Sequence, residues 1–281
     1  MAEQNKMWVT EFVLTNMMGN IGLAVLVWMY SHLHTPMYIF LSSLAFANAW
    51  ASSSKTPKML VNFLTKNKII SLLGCFAQFY FFGVSATAEC FLLAAMAYYR
   101  YAAICNPLLY PVRMSNGLCS QLVIASYTLG FLHLMIHVGL LFRLTFCRTN
   151  IIHHFYCEIL SFFRISCTDP SLNSLVIFIF SVSIQSFTLM TTLVSYMYIL
   201  LAILRIKSGR SKAFSTCSAH LLSVSLFFGT LFFMYMCPGS GTTKNQDVTY
   251  SLFYTIIIPL LNRFIYSLRN KENIKRQVLK N

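Results

Sequence analysis

Acidic side chains are scarce in this sequence. There are seven Asp and Glu among 281 residues, and charged residues of both signs make up only 10%. A water-soluble domain usually carries about 25% charged residues, so the chain lacks the polar surface to cover a globule in water. A low-complexity tract, an internal repeat and a soluble domain are also missing, which leaves a single domain over residues 1–281. No nucleophile–base set or glycine-rich phosphate loop sits where it could work, so neither an enzyme nor a cofactor is expected. The opening MAEQNKMW lacks the basic-then-apolar pattern of a cleavable leader. The first apolar segment is expected to act as the insertion signal.

What is present is apolar: 57% of the residues are hydrophobic, with 25 Phe and 15 Tyr. A bilayer-spanning helix needs about 20 mostly apolar residues. Six segments meet that demand: Pro36–Leu60, Leu72–Ala103, Leu118–Phe142, Leu175–Leu204, Ala213–Cys237 and Val248–Leu268. A seventh, Phe12–Tyr30, is marginal because it carries Thr15, Asn16, Gly19 and Asn20. The connections are short apart from Arg143–Pro170. The expected fold is an all-α membrane protein, a seven-transmembrane helix bundle whose first helix is truncated or marginal.

Lysine and arginine set the orientation. With the C-terminus in the cytoplasm, the inner loops and tail hold eleven basic residues against the one acid Glu272, and the outer side holds nine against five. Residues 1–11 are then an extracellular N-terminus and 269–281 a cytoplasmic tail, in a multi-pass plasma-membrane protein. The basic residues lie in short gaps and do not cluster on a soluble face, so nucleic acid is not an expected partner. Membrane lipid is. Arg100 falls at the inner end of the third span, where a guanidinium can snorkel to water or headgroups or meet a partner protein.

Some residues carry chemistry on their own account. Cys75, Cys147, Cys157 and Cys167 lie on the outer side, and an even count in an oxidising compartment supports two bridges. The sequence alone leaves all three pairings open. Cys90, Cys105, Cys119 and Cys217 fall in spans or at the inner face and are expected to be reduced packing residues. His153, His154, Cys157 and Glu158 have a metal-ligand look. A bridged Cys157 offers no thiolate, so a loop-folding role is expected there. Glu89 precedes Arg100 by about 16 Å of helix, near the bilayer midplane, where an acid marks a functional position.

Residues 96–110, MAYYRYAAICNPLLY, resemble the end of the third helix in the olfactory branch of the rhodopsin-like G-protein-coupled receptors, which reads MAYDRYVAICNPLLY or close to it. Further motifs follow in the family's order: GN at 19–20, PMYIFLSSLAF at 36–46, KAFSTC at 212–217 and PLLNRFIYSLRN at 259–270. The resemblance covers the chain after residue 16. It implies that a small volatile odorant binds between the third, fifth, sixth and seventh helices in the outer half. The sixth helix then swings at its inner end, and a heterotrimeric G protein of the stimulatory olfactory type docks there. A ligand drives such a shift only by binding the active arrangement better.

Carried over residue by residue, the resemblance implies a ligand lining of Phe82, Gly83, Ala86, Phe180, Ile184, Phe228, Tyr235 and Thr255. It implies coupling and switch roles for Arg100, Tyr196, Asn262 and Tyr266. It pairs Cys75 with Cys157 and Cys147 with Cys167. It also implies a sodium-type site between Glu89 and an acid on the second helix. That acid is Asn48 here, which supplies no second negative charge, so the site is expected to be weak.

The chain departs from the family at several points. Tyr99 replaces the acid before Arg100, and Arg263 replaces the proline after Asn262. A spanning helix needs about 20 apolar residues, and the family has roughly that many more between Thr15 and Gly19. The loop SGRSKAF at 208–214 is short as well, and no Asn-x-Ser/Thr triplet occurs anywhere. Two expectations therefore stand together: a working odorant receptor, or a decayed receptor-like protein that folds or signals poorly. A small transporter or channel is a third reading. It would call for ionisable residues lining a path, and Glu89 stands almost alone.

Overall fold

Serine and proline mark where the helices start. In the computed structural model, which describes residues 2–30, 35–64, 71–110, 114–146, 159–205, 217–218 and 220–229, the backbone is helical almost throughout. Helix α1 is Ala2–Met29, α2 Pro36–Leu64, α3 Leu72–Cys105 and α4 Asn116–Leu141. Helix α5 is Ser171–Arg205 and α6 is His220–Gly229, and a seven-residue loop helix, Ile159–Ile165, lies between α4 and α5. Pro36 opens α2 where its missing N–H loses no bond. The Ser71 and Ser115 hydroxyls cap α3 and α4 by accepting from Gly74 N–H and Leu118 N–H at 3.2 and 3.3 Å. Asn106 closes α3 just ahead of Pro107, which cannot continue a helix.

Helices α2 to α5 fall on the expected spans with ends shifted by a few residues. Helix α1 differs. It begins at Ala2, so the stretch taken as an N-terminal tail is already helical. No glycine or proline occurs before Gly19 to stop the helix running back. Among the residues whose side chains are described, Met17–Met29 is an apolar run within it. Helices α3, α4 and α5 are each long and apolar enough to cross a membrane. Residues 213–216, 219 and 230–237 of the expected sixth span and the whole seventh lie outside the described residues.

Helix α3 is central: it packs against α2, α4 and α5, while α1 packs against α2. Small residues make this possible, because Ala88, Ala94, Ala97 and Ala102 are all buried and bring neighbouring backbones close. A core cluster joins Leu92, Leu93 and Met96 of α3 to Phe40, Leu41 and Leu44 of α2, Cys119 of α4, and Val224 and Phe227 of α6. Most polar groups within this apolar bundle are matched internally, as a bilayer demands. Ser43, Ser85, Ser126, Thr188 and Thr192 donate to carbonyls three or four residues back. Between helices, Tyr127 Oη donates to Ser43 O at 2.8 Å and Gln78 Nε2 to Ser54 O at 3.2 Å. Where α2, α3 and α4 meet, Trp50 is ringed by Phe46, Phe81 and Phe131 at centroid distances of 5.5, 5.9 and 6.4 Å.

The closest approach of α3 and α4 is at Gly130. A Cβ there would stand 2.9 Å from the Val84 carbonyl oxygen, a backbone atom that cannot step aside. Gly130→Ala is expected to lower stability by about 1–3 kcal/mol. On the same helix, Gly139→Ala has nothing within 4 Å of the added atom and should leave stability unchanged or slightly higher. Thermal unfolding of the two variants in one detergent checks this.

Candidate functional site

The two ends of the bundle hold different chemistry. At one end, α3 delivers Arg100 five residues before its last residue, about 7.5 Å along the axis. Arg100, expected to reach water or headgroups or to meet a partner protein, is buried, at 6% exposure. The HLLSV turn of α6 brings His220 within electrostatic reach of the guanidinium. Tyr196 of α5 and His220 are hydrogen-bonded, Oη to Nδ1, at 2.7 Å, with the rings stacked at 5.7 Å and 26°. Ala97, Ile199, Ile203 and Cys217 pack around them, so α3, α5 and α6 share one seam.

His220 and Ser223 lie one turn apart on α6, both fully buried. His220 Nε2 and Ser223 Oγ have no hydrogen-bond partner among the described residues. Sequence reasoning missed His220, although a lone histidine following KAFSTC in an apolar run was a usable signal. Tyr99, at the position of the missing acid, turns away from the α5–α6 seam. Its hydroxyl meets that of Tyr110, and its ring stands edge-on to Phe40 at 6.1 Å and to Tyr110 at 5.5 Å. Asn262 and Tyr266 lie outside the described residues, as does Arg263.

The other end is closed by disulfide chemistry and aromatic stacking. Cys75 and Cys167 are both disulfide-bonded; Cys147 and Cys157 lie outside the described residues, with the His153–Glu158 cluster. Cys90, Cys105, Cys119 and Cys217 are free. Next to Cys75, Phe76 stacks on Phe162 of the loop helix at 4.8 Å and 13°. The long connection folds back on itself through an antiparallel bridge between Phe146 and Ser166 and a 2.9 Å bond from Cys167 N to Thr145 O. At its far end, the Asp169 carboxylate accepts from the Ser171 N–H and hydroxyl, which holds its carboxyl below the usual carboxylate range.

Between these ends lie six of the eight expected lining residues; Tyr235 and Thr255 are outside the described residues. Ile184 of α5 and Phe228 of α6 are half-buried against the same core cluster. Phe82 and Ala86 are half-buried on α3. Gly83 and Phe180 turn to α4, a helix the sequence reading left out of the site. A Cβ at Gly83 would stand 2.5 Å from Leu134 Cδ1, so this glycine serves helix packing. Phe180 packs on His133 and His137 of α4 at 6.0 and 5.8 Å. The spacing HLMIH, with two histidines four apart in an apolar helix, was legible but not used.

Glu89 and Asn48 are both buried, at 7% and 3% exposure. The Asn48 amide donates to Leu44 O of its own helix at 3.0 Å. One carboxylate and one amide oxygen are too few donors for a divalent cation such as calcium, which takes six to eight oxygens. Among the described residues no group of three His, Cys, Asp or Glu converges to hold a metal ion.

A buried cation under a Tyr–His tie at one end, and disulfides with an aromatic middle towards the other, suit a membrane receptor. Comparison with known proteins says which kind. The family model described as olfactory receptor matches residues 9–281. Human olfactory receptor 5AC1 is 63% identical over 306 aligned positions, covering 100% of both chains. Human olfactory receptor 5AC2 is 61% identical over 295, covering 96% of each. Mouse olfactory receptor 5H17 is 55% identical over 298, covering 98% of this chain and 96% of its own. The 306 aligned positions less 281 residues leave 25 of 5AC1 that face no residue here. With a family match over nearly its whole length and relatives this similar from end to end, the chain belongs to the olfactory receptor family.

Proposed function

We propose that this olfactory receptor binds a small volatile odorant towards the disulfide end of its helix bundle and signals from the Arg100 end through a heterotrimeric G protein of the stimulatory olfactory type. Receptors of this family are multi-pass proteins of the plasma membrane and are not enzymes. The disulfide end faces outward in this reading, since oxidised Cys75 and Cys167 belong to an oxidising compartment. The inner loops and tail carry the basic excess. The N-terminus is then outside and the C-terminus cytoplasmic, with lipid around the bundle. The bridges proposed are Cys75–Cys157 and Cys147–Cys167; the Phe146–Ser166 bridge brings the neighbours of the second pair together.

The observation that carries the reading is the Tyr196–His220 hydrogen bond beside Arg100. One bond joins α5 to the end of α6 that has to move for a G protein to dock. An odorant that favours the opened arrangement shifts the population away from this contact. Arg100, Tyr196, Asn262 and Tyr266 are the proposed coupling residues, with His220 added from the geometry. Phe82, Ala86, Phe180, Ile184, Phe228, Tyr235 and Thr255 are the proposed lining, an apolar and aromatic surface with few polar handles. A weak sodium-type site at Glu89 and Asn48 is part of the same proposal.

A second reading, an impaired receptor, is favoured by α1. Thr15, Asn16 and Asn20 interrupt the apolar run Phe12–Tyr30 that would have to span. The 25 positions of 5AC1 that face no residue here support the same reading.

Three outcomes test these readings. Tyr196→Phe removes the tie and should raise basal cAMP at matched surface level by about two- to tenfold, the worth of one hydrogen bond. An unchanged basal level counts against the switch. Tyr235→Ala should weaken an odorant response about five- to thirtyfold, while Leu222→Ala on the exposed face of α6 should not. Inserting about twenty apolar residues before Gly19 should raise surface labelling in transfected cells. If the natural chain already reaches the surface and answers odorants fully, the impaired reading fails.

A further inference from the structure

Of the buried polar atoms without a hydrogen-bond partner among the described residues, Asn48 Oδ1, His220 Nε2 and Ser223 Oγ belong to positions already treated. The fourth, His137 Nδ1, does not. His133 and His137 are one turn apart on α4, so their rings share a face. His133 Nδ1 stands 3.0 Å from Thr87 Oγ1 of α3, and His133 Nε2 stands 2.7 Å from His137 Nε2. A neutral imidazole has one N–H and one bare nitrogen. A bond between two Nε2 atoms therefore needs one ring protonated at Nε2 and the other at Nδ1.

That requirement fixes the whole chain of contacts. If His133 Nε2–H donates, His133 Nδ1 is bare and accepts from the Thr87 hydroxyl, and His137 carries its proton on Nδ1 as a free donor. If His137 Nε2–H donates, His133 Nδ1–H donates to Thr87 Oγ1, and His137 Nδ1 is a free acceptor. Either way the relay ends at His137 Nδ1, which can face a carbonyl in the first state and a hydroxyl in both. Phe180, 38% exposed, is the aromatic ring packed against both imidazoles. His137 itself is 2% exposed, beneath the Phe180 ring.

We propose that His137 Nδ1 is a hydrogen-bonding contact for an oxygen-bearing odorant, an aliphatic alcohol or ketone, whose hydrocarbon part lies against Phe180. This rests on the odorant-receptor reading and adds α4 to the site. Thr87 and His133 are positioning residues that hold the His137 ring and set its tautomer.

The test uses amide replacements, since Asn places its amide near the Nδ1 position of histidine and Gln near Nε2. His137→Asn keeps a polar atom for the ligand and drops the His133 contact. His137→Gln does the reverse, and His137→Phe removes both. The full-length receptor in lipid nanodiscs is melted with octan-1-ol, octan-2-one or n-octane at equal membrane concentration. The expected result is stabilisation of the natural protein and His137→Asn by the two oxygenated probes, with affinity about two- to tenfold weaker in His137→Gln and His137→Phe. Octane should not distinguish the four proteins. The proposal is overturned if His137→Gln keeps the oxygenated probes and His137→Asn loses them, if all variants behave alike, or if neither oxygenated probe stabilises the natural protein. Basal cAMP separates this from the reading beneath it. A Tyr196→Phe effect on basal output with no His137 effect on the probes leaves the receptor standing and removes only this contact.

Discussion

The bundle depends on how closely other helices can approach α3. In lipid there is no hydrophobic drive between apolar helices, so close van der Waals contact and a few interhelical hydrogen bonds must hold them. Helix α3 meets that need with alanines along its buried faces, and α4 presents Gly130 to the Val84 carbonyl. The same closeness makes the site possible. Thr87, Glu89 and Arg100 sit on one helix whose neighbours leave almost no solvent around them. An uncompensated polar group there is expensive, and most such groups are matched within a turn of their own helix or by a neighbour. The few unmatched atoms are therefore informative.

Much of this was readable before any coordinates. Long apolar runs between Pro36 and Arg205 gave helices α2 to α5 to within a few residues, because spanning length is set by bilayer thickness and little else. The motifs around Arg100 and Cys217 gave the family. Side-chain direction was not readable. A glycine in the run FFGVSA can line a cavity or admit a neighbour, and only the placement of Leu134 decides for Gly83. His133 and His137 were passed over for a similar reason: an apolar helix of uniform hydrophobicity does not reveal which face meets a partner. Helix α1 ran back further than expected because nothing in its polar start breaks a helix.

Tyr99 shows how a departure from the family can be absorbed. A carboxylate there would have faced Arg100 at the end of the helix. The tyrosine instead joins Phe40 and Tyr110, and so contributes to the core cluster beneath the Arg100 end. Its aromatic contacts are each worth about 0.5–1.5 kcal/mol, comparable with the charge-assisted bond it replaces. The packing is thus supplied locally by Tyr99 against the core cluster, while His220 of α6 stands beside Arg100.

The ring of aromatics around Trp50 has an optical consequence. All three tryptophans, Trp8, Trp28 and Trp50, fall within the first fifty residues. Trp28 is 80% exposed on α1, whereas Trp50 is enclosed by Phe46, Phe81 and Phe131. Intrinsic fluorescence of this protein is therefore a reporter of the α1–α2 edge and of the contact of α2 with α3 and α4. It is blind to α5 and α6. A melting curve followed by tryptophan emission and one followed by a probe on α6 would track different parts of the molecule. Any gap between them measures how far the α1–α2 edge comes apart before the α5–α6 end does.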